Sequence, residues 1–225
     1  LGAEKFFDIK CRKAGLSPKL TVIVATAQSL KLHGGVPEDK IKEQNIEGLK
    51  NGLPNLDKHV ENMKRFGQEV IVTFNRYATD TDEEIAMVME HCEQLGVRCV
   101  INNAYAEGGA GAADLARAAV ELIETEPSQP INYAYELEDS IKDKITKVAK
   151  NIYGAGTVVF GPKAKKQIAL LEKWGMDNLP VCIAKTQFSF SADAKRYGSV
   201  EDFEINIKDI ELNAGSGFVV ALAGD

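Results

Sequence analysis

The sequence predicts an α/β protein with a mostly parallel sheet, flanking helices and a smaller second α/β domain. Three observations carry this. Continuous β-rich apolar runs recur at Leu20–Thr26, Val70–Phe74 and Val97–Ile101, as strands buried on both faces require. Longer stretches of helical periodicity separate them, as crossover connections in a parallel sheet demand. The second half repeats the strand–helix theme less cleanly.

Residues 3–13 predict a helix stopped near Gly15, ahead of the first strand. Gln28, Ser29, Lys31 and His33 then close on Gly34-Gly35, which reads as a strand-to-loop transition. Residues 43–51 predict a short helix. Asn55 to Phe66 predicts a separate one, with Leu56, Val60 and Met63 on one face and Gly67 ending it. The second strand ends in Asn75-Arg76. Thr81-x-x-Glu84 has the capping-box pattern and opens a helix with Ile85, Val88, Met89, Cys92 and Leu95 in phase. The third strand delivers Asn102, Asn103 and Tyr105 into a glycine-rich loop, and a helix follows from about 112 to 124.

Glu126-Pro127-Ser128-Gln129-Pro130 is the best linker candidate, so the expected domains are 1–126 and 127–225. Beyond it, Leu137, Ile141, Ile145, Val148 and Ile152 mark a long amphipathic helix. Thr157–Phe160 reads as a strand, and Pro162 opens a helix running to about Trp174. Val181–Ala184 is a buried strand that breaks into Lys185, Thr186, Gln187, Phe188, Ser189, Phe190 and Ser191. A strand ending in that mixture delivers side chains to a cleft. Residues 203–212 and 218–222 read as extended.

The 225 residues carry a net charge of −6, which argues against a general nucleic-acid or anionic-membrane binder. No apolar run is long enough to span a bilayer, and no signal-peptide pattern opens the chain. The four cysteines, at 11, 92, 99 and 182, form no CxxC pair and read as reduced thiols of a cytoplasmic protein. Cys92 and Cys99 fall on a helix and a strand, so a disulfide carries little weight. The three histidines add no metal-ligand spacing, and no metal site is predicted. Leu1 is not an initiator methionine, and Asp225 follows directly on a core-strand run. The chain therefore reads as an interior piece of a longer protein.

The glycine cluster at Tyr105, Ala106, Glu107, Gly108, Gly109 and Gly111 lies between a strand end and a helix start. Backbone N–H groups there can approach an anion, or the segment can be a plain βα turn. No GxxxxGK followed by Ser or Thr occurs anywhere. Asn75 to Asp80 can position a phosphate or form an Asx turn. His33-Gly34-Gly35 can face a phosphate or be structural. Phe190 and Phe218 can stack a flat heteroaromatic ligand between them or fill the core.

Five ordered segments together resemble the formate–tetrahydrofolate ligase family over essentially the whole chain. Val24-Ala25-Thr26-x-x-x-Leu30-Lys31-x-His33-Gly34-Gly35 is similar to that family's VATxRALKxHGG signature. Asn75-Arg76 with Thr79-Asp80-Thr81 resembles its NRFxTDT segment, and Glu107-Gly108-Gly109-x-Gly111 its glycine loop. Residues 184–191 resemble its AKTQYSFS segment. Ala214-Gly215-x-Gly217-Phe218 resembles its SAGAGF element.

The resemblance implies a P-loop-type α/β domain with smaller domains packed on it. It implies an enzyme that makes formyl phosphate from formate and ATP, then passes the formyl group to N10 of tetrahydrofolate. ATP with Mg2+, a monovalent cation and a homo-oligomeric parent are implied as well. On that pattern Phe190 and Phe218 stack the pterin, with Lys185 and Gln187 near the folate or the transferred group. Asn75 and the 105–111 loop lie on the nucleotide side. The family's phosphate loop would precede Leu1, so the catalytic residues are expected upstream and the piece alone is expected to be inactive. Gln28 stands where the family pattern has Arg, which keeps open a second reading: a non-catalytic ligand-binding or assembly domain derived from that family.

Overall fold

A computed structural model describes residues 2–224. The chain divides into two compact units, 18–131 and 1–17 with 132–225. The sequence boundary at 126/127 falls five residues before the chain leaves the first unit. The N-terminal helix, expected in the first domain, groups with the second unit instead. Its Asp8 Oδ1 accepts the Ala134 N–H at 2.9 Å, and its Arg12 donates to the Tyr135 carbonyl at 2.6 Å. That helix comprises α1 (Gly2–Lys5), a π-helical stretch Phe6–Cys11 and α2 (Arg12–Ala14), stopped by Gly15.

In the unit 18–131, β1 (Thr21–Ala25) leads into α3 (Ala27–His33). The expected loop is thus a helix, because the Thr26 side chain caps it by accepting the Ser29 N–H. The two helices expected over 43–66 are one, α4 (Ile46–Arg65), capped by Asn45. Pro54 does not break it. The carbonyl left without its intrahelical donor belongs to Lys50, on the exposed face, open to solvent. β2 (Val70–Asn75) follows, then α5 (Asp82–Gln94), opened by the full reciprocal capping box of Thr81 and Glu84. β3 (Arg98–Asn102), α6 (Ala104–Glu107), a 3-10 turn Gly108–Ala112 and α7 (Ala113–Thr125) complete the unit.

The three strands form a parallel sheet in the order β1-β2-β3. β2 is central, and Val70, Ile71, Val72 and Phe74 are buried. β1 departs from the expectation of burial on both faces: Val22 is 41% and Val24 64% exposed. α4 packs on β1 and β2, whereas α7 packs on β3. The outward-alternating valines of β1 thus stand largely in solvent.

In the other unit, α8 (Ile141–Val148) runs into a π-helical turn Ala149–Tyr153 and then β4 (Ala155–Phe160). Ser140 caps α8, so Leu137 lies before the helix and not inside it. α9 (Pro162–Lys173), β5 (Val181–Ala184), β6 (Phe203–Asn213) and β7 (Phe218–Ala223) follow. The sheet order is β4-β6-β7-β5, parallel except for the β6–β7 pair. Phe203, Ile205 and Ile207 point inward, while Glu204, Asn206 and Lys208 face out.

Candidate functional site

The carboxyl ends of β2 and β3 gather the first set of predicted residues. Asn75 stands in register with Asn102, and the Arg76 N–H donates to the Asn102 carbonyl at 3.0 Å. The following loop is tied back on itself. Asn103 N–H donates to the Gly111 carbonyl, Asn102 Oδ1 accepts the Ala104 N–H, and the Asn103 amide donates to Glu107 Oε1 at 2.6 Å. A Cβ on Gly111 would lie 2.4 Å from the Asn103 carbonyl oxygen, so only glycine lets the loop close this tightly. Gly108 has φ 59° and ψ −142°, a conformation open to glycine alone.

The loop is strongly exposed. Tyr105 is 97% accessible, and Ala106, Glu107, Gly108 and Gly109 are exposed as well. No side chain caps α7, and the 3-10 turn before it already engages the first N–H of the helix, which Ala113 donates to the Ala110 carbonyl. The structure thus brings Asn75 and residues 105–111 together at the edge where open α/β sheets bind ligands. Asn102 and Asn103 belong to the same constellation. Their signal was available, since both follow directly on a buried apolar run.

Residues 31–35 close α3, which packs against α4. Buried Lys31 donates to Glu84 Oε1 and to the Glu43 carbonyl, both at 2.8 Å. Burial alone would raise the Glu84 carboxyl. Hydrogen bonds from Lys31 and from the Asn45 and Thr81 backbone hold it below its ordinary value. Burial lowers the His33 imidazole below its ordinary value. Asp80 closes the 77–80 turn, its Oδ2 accepting the Tyr77 N–H at 2.8 Å and its own N–H donating to the Tyr77 carbonyl at 3.1 Å.

The second set lies in the other unit and is not gathered at one place. Lys185 leaves β5 at its carboxyl end. Phe218 opens β7 beside the start of β5, where Val219 N–H donates to the Pro180 carbonyl. Since Val181 pairs with Val219 and Ala184 with Leu222, these two positions lie about 16 Å apart along the strands.

Phe190 is 3% exposed and buried, Phe218 is half-buried, and Gln187 is exposed. The Lys185 ammonium donates to the carbonyls of Thr186 at 3.3 Å, Ser191 at 3.0 Å and Ser189. It sits 4.8 Å from the centre of the Tyr153 ring, and burial lowers it to about 8. Its three N–H donors are thereby committed to ordering its own loop. The segment after it lines a cavity of about 580 Å³ with Ser191, Asp193, Arg196, Glu204 and Asn206.

Beneath that loop lies a buried acidic pair that sequence reading did not find. The Tyr153 hydroxyl donates to Glu4 Oε2 at 3.1 Å. Burial lifts Glu4 to about 8 and Asp8 to about 7. Glu4 sits in α1 and Asp8 in the π-helical stretch that follows, where charge spacing alone reads as a solvated helix face. Among the described residues no group of three or more His, Cys, Asp or Glu side chains could hold a metal ion. No described helix is long and apolar enough to cross a membrane.

All 225 residues match the family model for formate–tetrahydrofolate ligase. A formate–tetrahydrofolate ligase of Parabacteroides distasonis is 62% identical over the whole chain, and one of Bacteroides thetaiotaomicron 61%. That of Porphyromonas gingivalis is 55% identical. In each case the chain spans 40% of the relative's own length.

Proposed function

Because the chain belongs to the formate–tetrahydrofolate ligase family, we propose that it is the nucleotide-side and folate-side part of an enzyme making 10-formyltetrahydrofolate from formate, ATP and tetrahydrofolate. The observation that supports this best is the grouping of Asn75 with the 105–111 loop at the carboxyl edge of the parallel sheet. The exposed backbone at Gly108 and Gly109 suits the phosphates of a nucleotide.

Formate's carboxylate attacks the terminal phosphoryl group of ATP to give formyl phosphate and ADP, and N10 of the folate then displaces phosphate. A mixed anhydride of this kind needs N–H donors around its oxygens and exclusion of water.

On the folate side we assign stacking to Phe218, half-buried at the 214–217 turn. Phe190 fills the core, and Lys185 is a positioning residue that orders the loop carrying Gln187. Phe218→Ala in the complete enzyme should weaken tetrahydrofolate binding by about 1–3 kcal/mol, by analogy with base stacking on aromatic rings. Phe190→Ala should instead lower folding stability by about 3–5 kcal/mol. Isothermal titration and urea unfolding separate the two; unchanged folate affinity in Phe218→Ala would remove the stacking role.

The phosphate-loop lysine on which phosphoryl transfer depends has no counterpart in these 225 residues, so the chain alone is expected to have no ligase activity. The complete protein should form 10-formyltetrahydrofolate only with all three substrates present. Product formation by the 225-residue chain would overturn the first expectation, and an inactive complete protein the second.

A further inference from the structure

Phe218 leaves a turn that its own side chains cannot hold. Asn213 pairs with Phe218 across the β6–β7 hairpin, which leaves Ala214, Gly215, Ser216 and Gly217 as a four-residue connection. No side chain in it is larger than serine, and Ala214, Gly215 and Ser216 are exposed. A Cβ on Gly215 would meet nothing within 4 Å. Within the hairpin, the Ser216 and Gly217 N–H groups both donate to the Asn213 carbonyl, at 3.1 and 2.8 Å.

The carbonyls of the same two residues are held from outside, by the N-terminal helix. Lys13 Nζ donates to the Ser216 carbonyl at 2.5 Å and to the Gly217 carbonyl at 3.2 Å. The second carbonyl belongs to the planar peptide that joins Gly217 to Phe218, so the ammonium fixes the plane from which the ring departs. Gly217 has φ 65°, and a Cβ there would lie 2.6 Å from Lys13 Nζ. Glycine thus serves twice: it adopts the left-handed conformation, and it leaves the space that the ammonium fills. Helix and turn lie 203 residues apart in the chain but in the same compact unit.

We propose that Lys13 is a positioning residue for tetrahydrofolate, holding the 214–217 turn so that the Phe218 ring is in place before the ligand arrives. Without it the turn keeps only its hairpin bonds, and the cost of ordering it is subtracted from the binding free energy. The inference rests on the stacking role given to Phe218 above, and it adds a residue from an element which that role does not involve.

Tetrahydrofolate titration and steady-state kinetics on the complete protein test it. Lys13→Ala should weaken tetrahydrofolate binding about three- to tenfold, raising KM for it while kcat is retained. Lys13→Arg, which keeps N–H donors for both carbonyls, should recover most of that loss. Lys13 is exposed, so its truncation opens no cavity in the core. Lys13→Ala combined with Phe218→Ala should bind no more weakly than Phe218→Ala alone, because Lys13 acts through that ring. Wild-type affinity in Lys13→Ala beside a weakened Phe218→Ala would overturn the inference and leave the stacking role standing. Losses that multiply in the double variant would overturn it too, since Lys13 would then act by a route other than Phe218. Wild-type affinity in Phe218→Ala removes the stacking role and this inference with it.

Discussion

At the residue scale the buried Glu4 is the side chain whose charge matters most to stability. It is 1% exposed, and its Oε1 has no hydrogen-bond partner, so ionisation would leave a charge without solvent. Burial raises its folded-state value to about 8, against about 4.3 in an unfolded chain. The folded form therefore keeps a proton that the unfolded form gives up. Its contribution is complete below the unfolded value and is lost as pH rises through 8. Asp8, lifted to about 7, acts in the same direction. Urea unfolding should show stability falling between pH 5 and 8.5 by an amount on the order of 2–4 kcal/mol. Glu4→Gln, which keeps an acceptor for Tyr153 without a titrating group, should flatten roughly half of that fall. A decline unchanged in Glu4→Gln would show that Glu4 ionises without cost.

At the element scale, backbones meet where α3 crosses α4. A Cβ on Gly52 would lie 1.8 Å from the Leu30 carbonyl oxygen, and one on Gly34 would lie 1.7 Å from that of Gly48. No rotamer relieves such a contact, because the obstacle is main chain. Gly52→Ala gains about 1 kcal/mol of helix propensity but must push the helices apart. A net loss of about 1–3 kcal/mol in urea unfolding is expected, and a stabilised variant would mean that the crossing is loose. The crossing also shows where the sequence was legible. Thr81-x-x-Glu84, the apolar phase of α5 and the run at Val70 announced their elements, because caps and periodicity are local. The Lys31-x-His33-Gly34-Gly35 stretch carries no such local sign of its helix. Its lysine and its first glycine answer to Glu84 and Gly48, partners that no local pattern ties to them. Tyr105–Gly111 was legible as a loop after a strand, and its closure on Asn103 follows from the same signal. Phe190 and Phe218 could be identified as aromatic residues near strand ends. Which end each occupies depends on the β5–β7 register, which spacing along the chain does not contain.

At the scale of the whole chain, the three-stranded sheet ends at β1, and among the described residues no strand pairs with the outer edge of β1. Val22 and Val24, at 41% and 64% exposure, add an apolar face beside those open N–H and C=O groups. An edge that is both unpaired and apolar is a template for pairing with a second copy, and nothing on β1 itself blunts it. Thr21, Val22, Ile23, Val24 and Ala25 carry no charge and no proline. The 225-residue chain on its own should therefore self-associate as its concentration rises, seen as an increasing weight-average mass in sedimentation velocity. Val24→Lys puts a charge on the exposed face without entering the core, since the Val24 side chain already lies largely in solvent. It should return the chain to monomer at concentrations where the wild-type chain associates, with little change in unfolding midpoint. A wild-type chain that stays monomeric across the series would show the edge to be harmless. Association that persists in Val24→Lys would place the sticky surface elsewhere, with the exposed Trp174 the next residue to change.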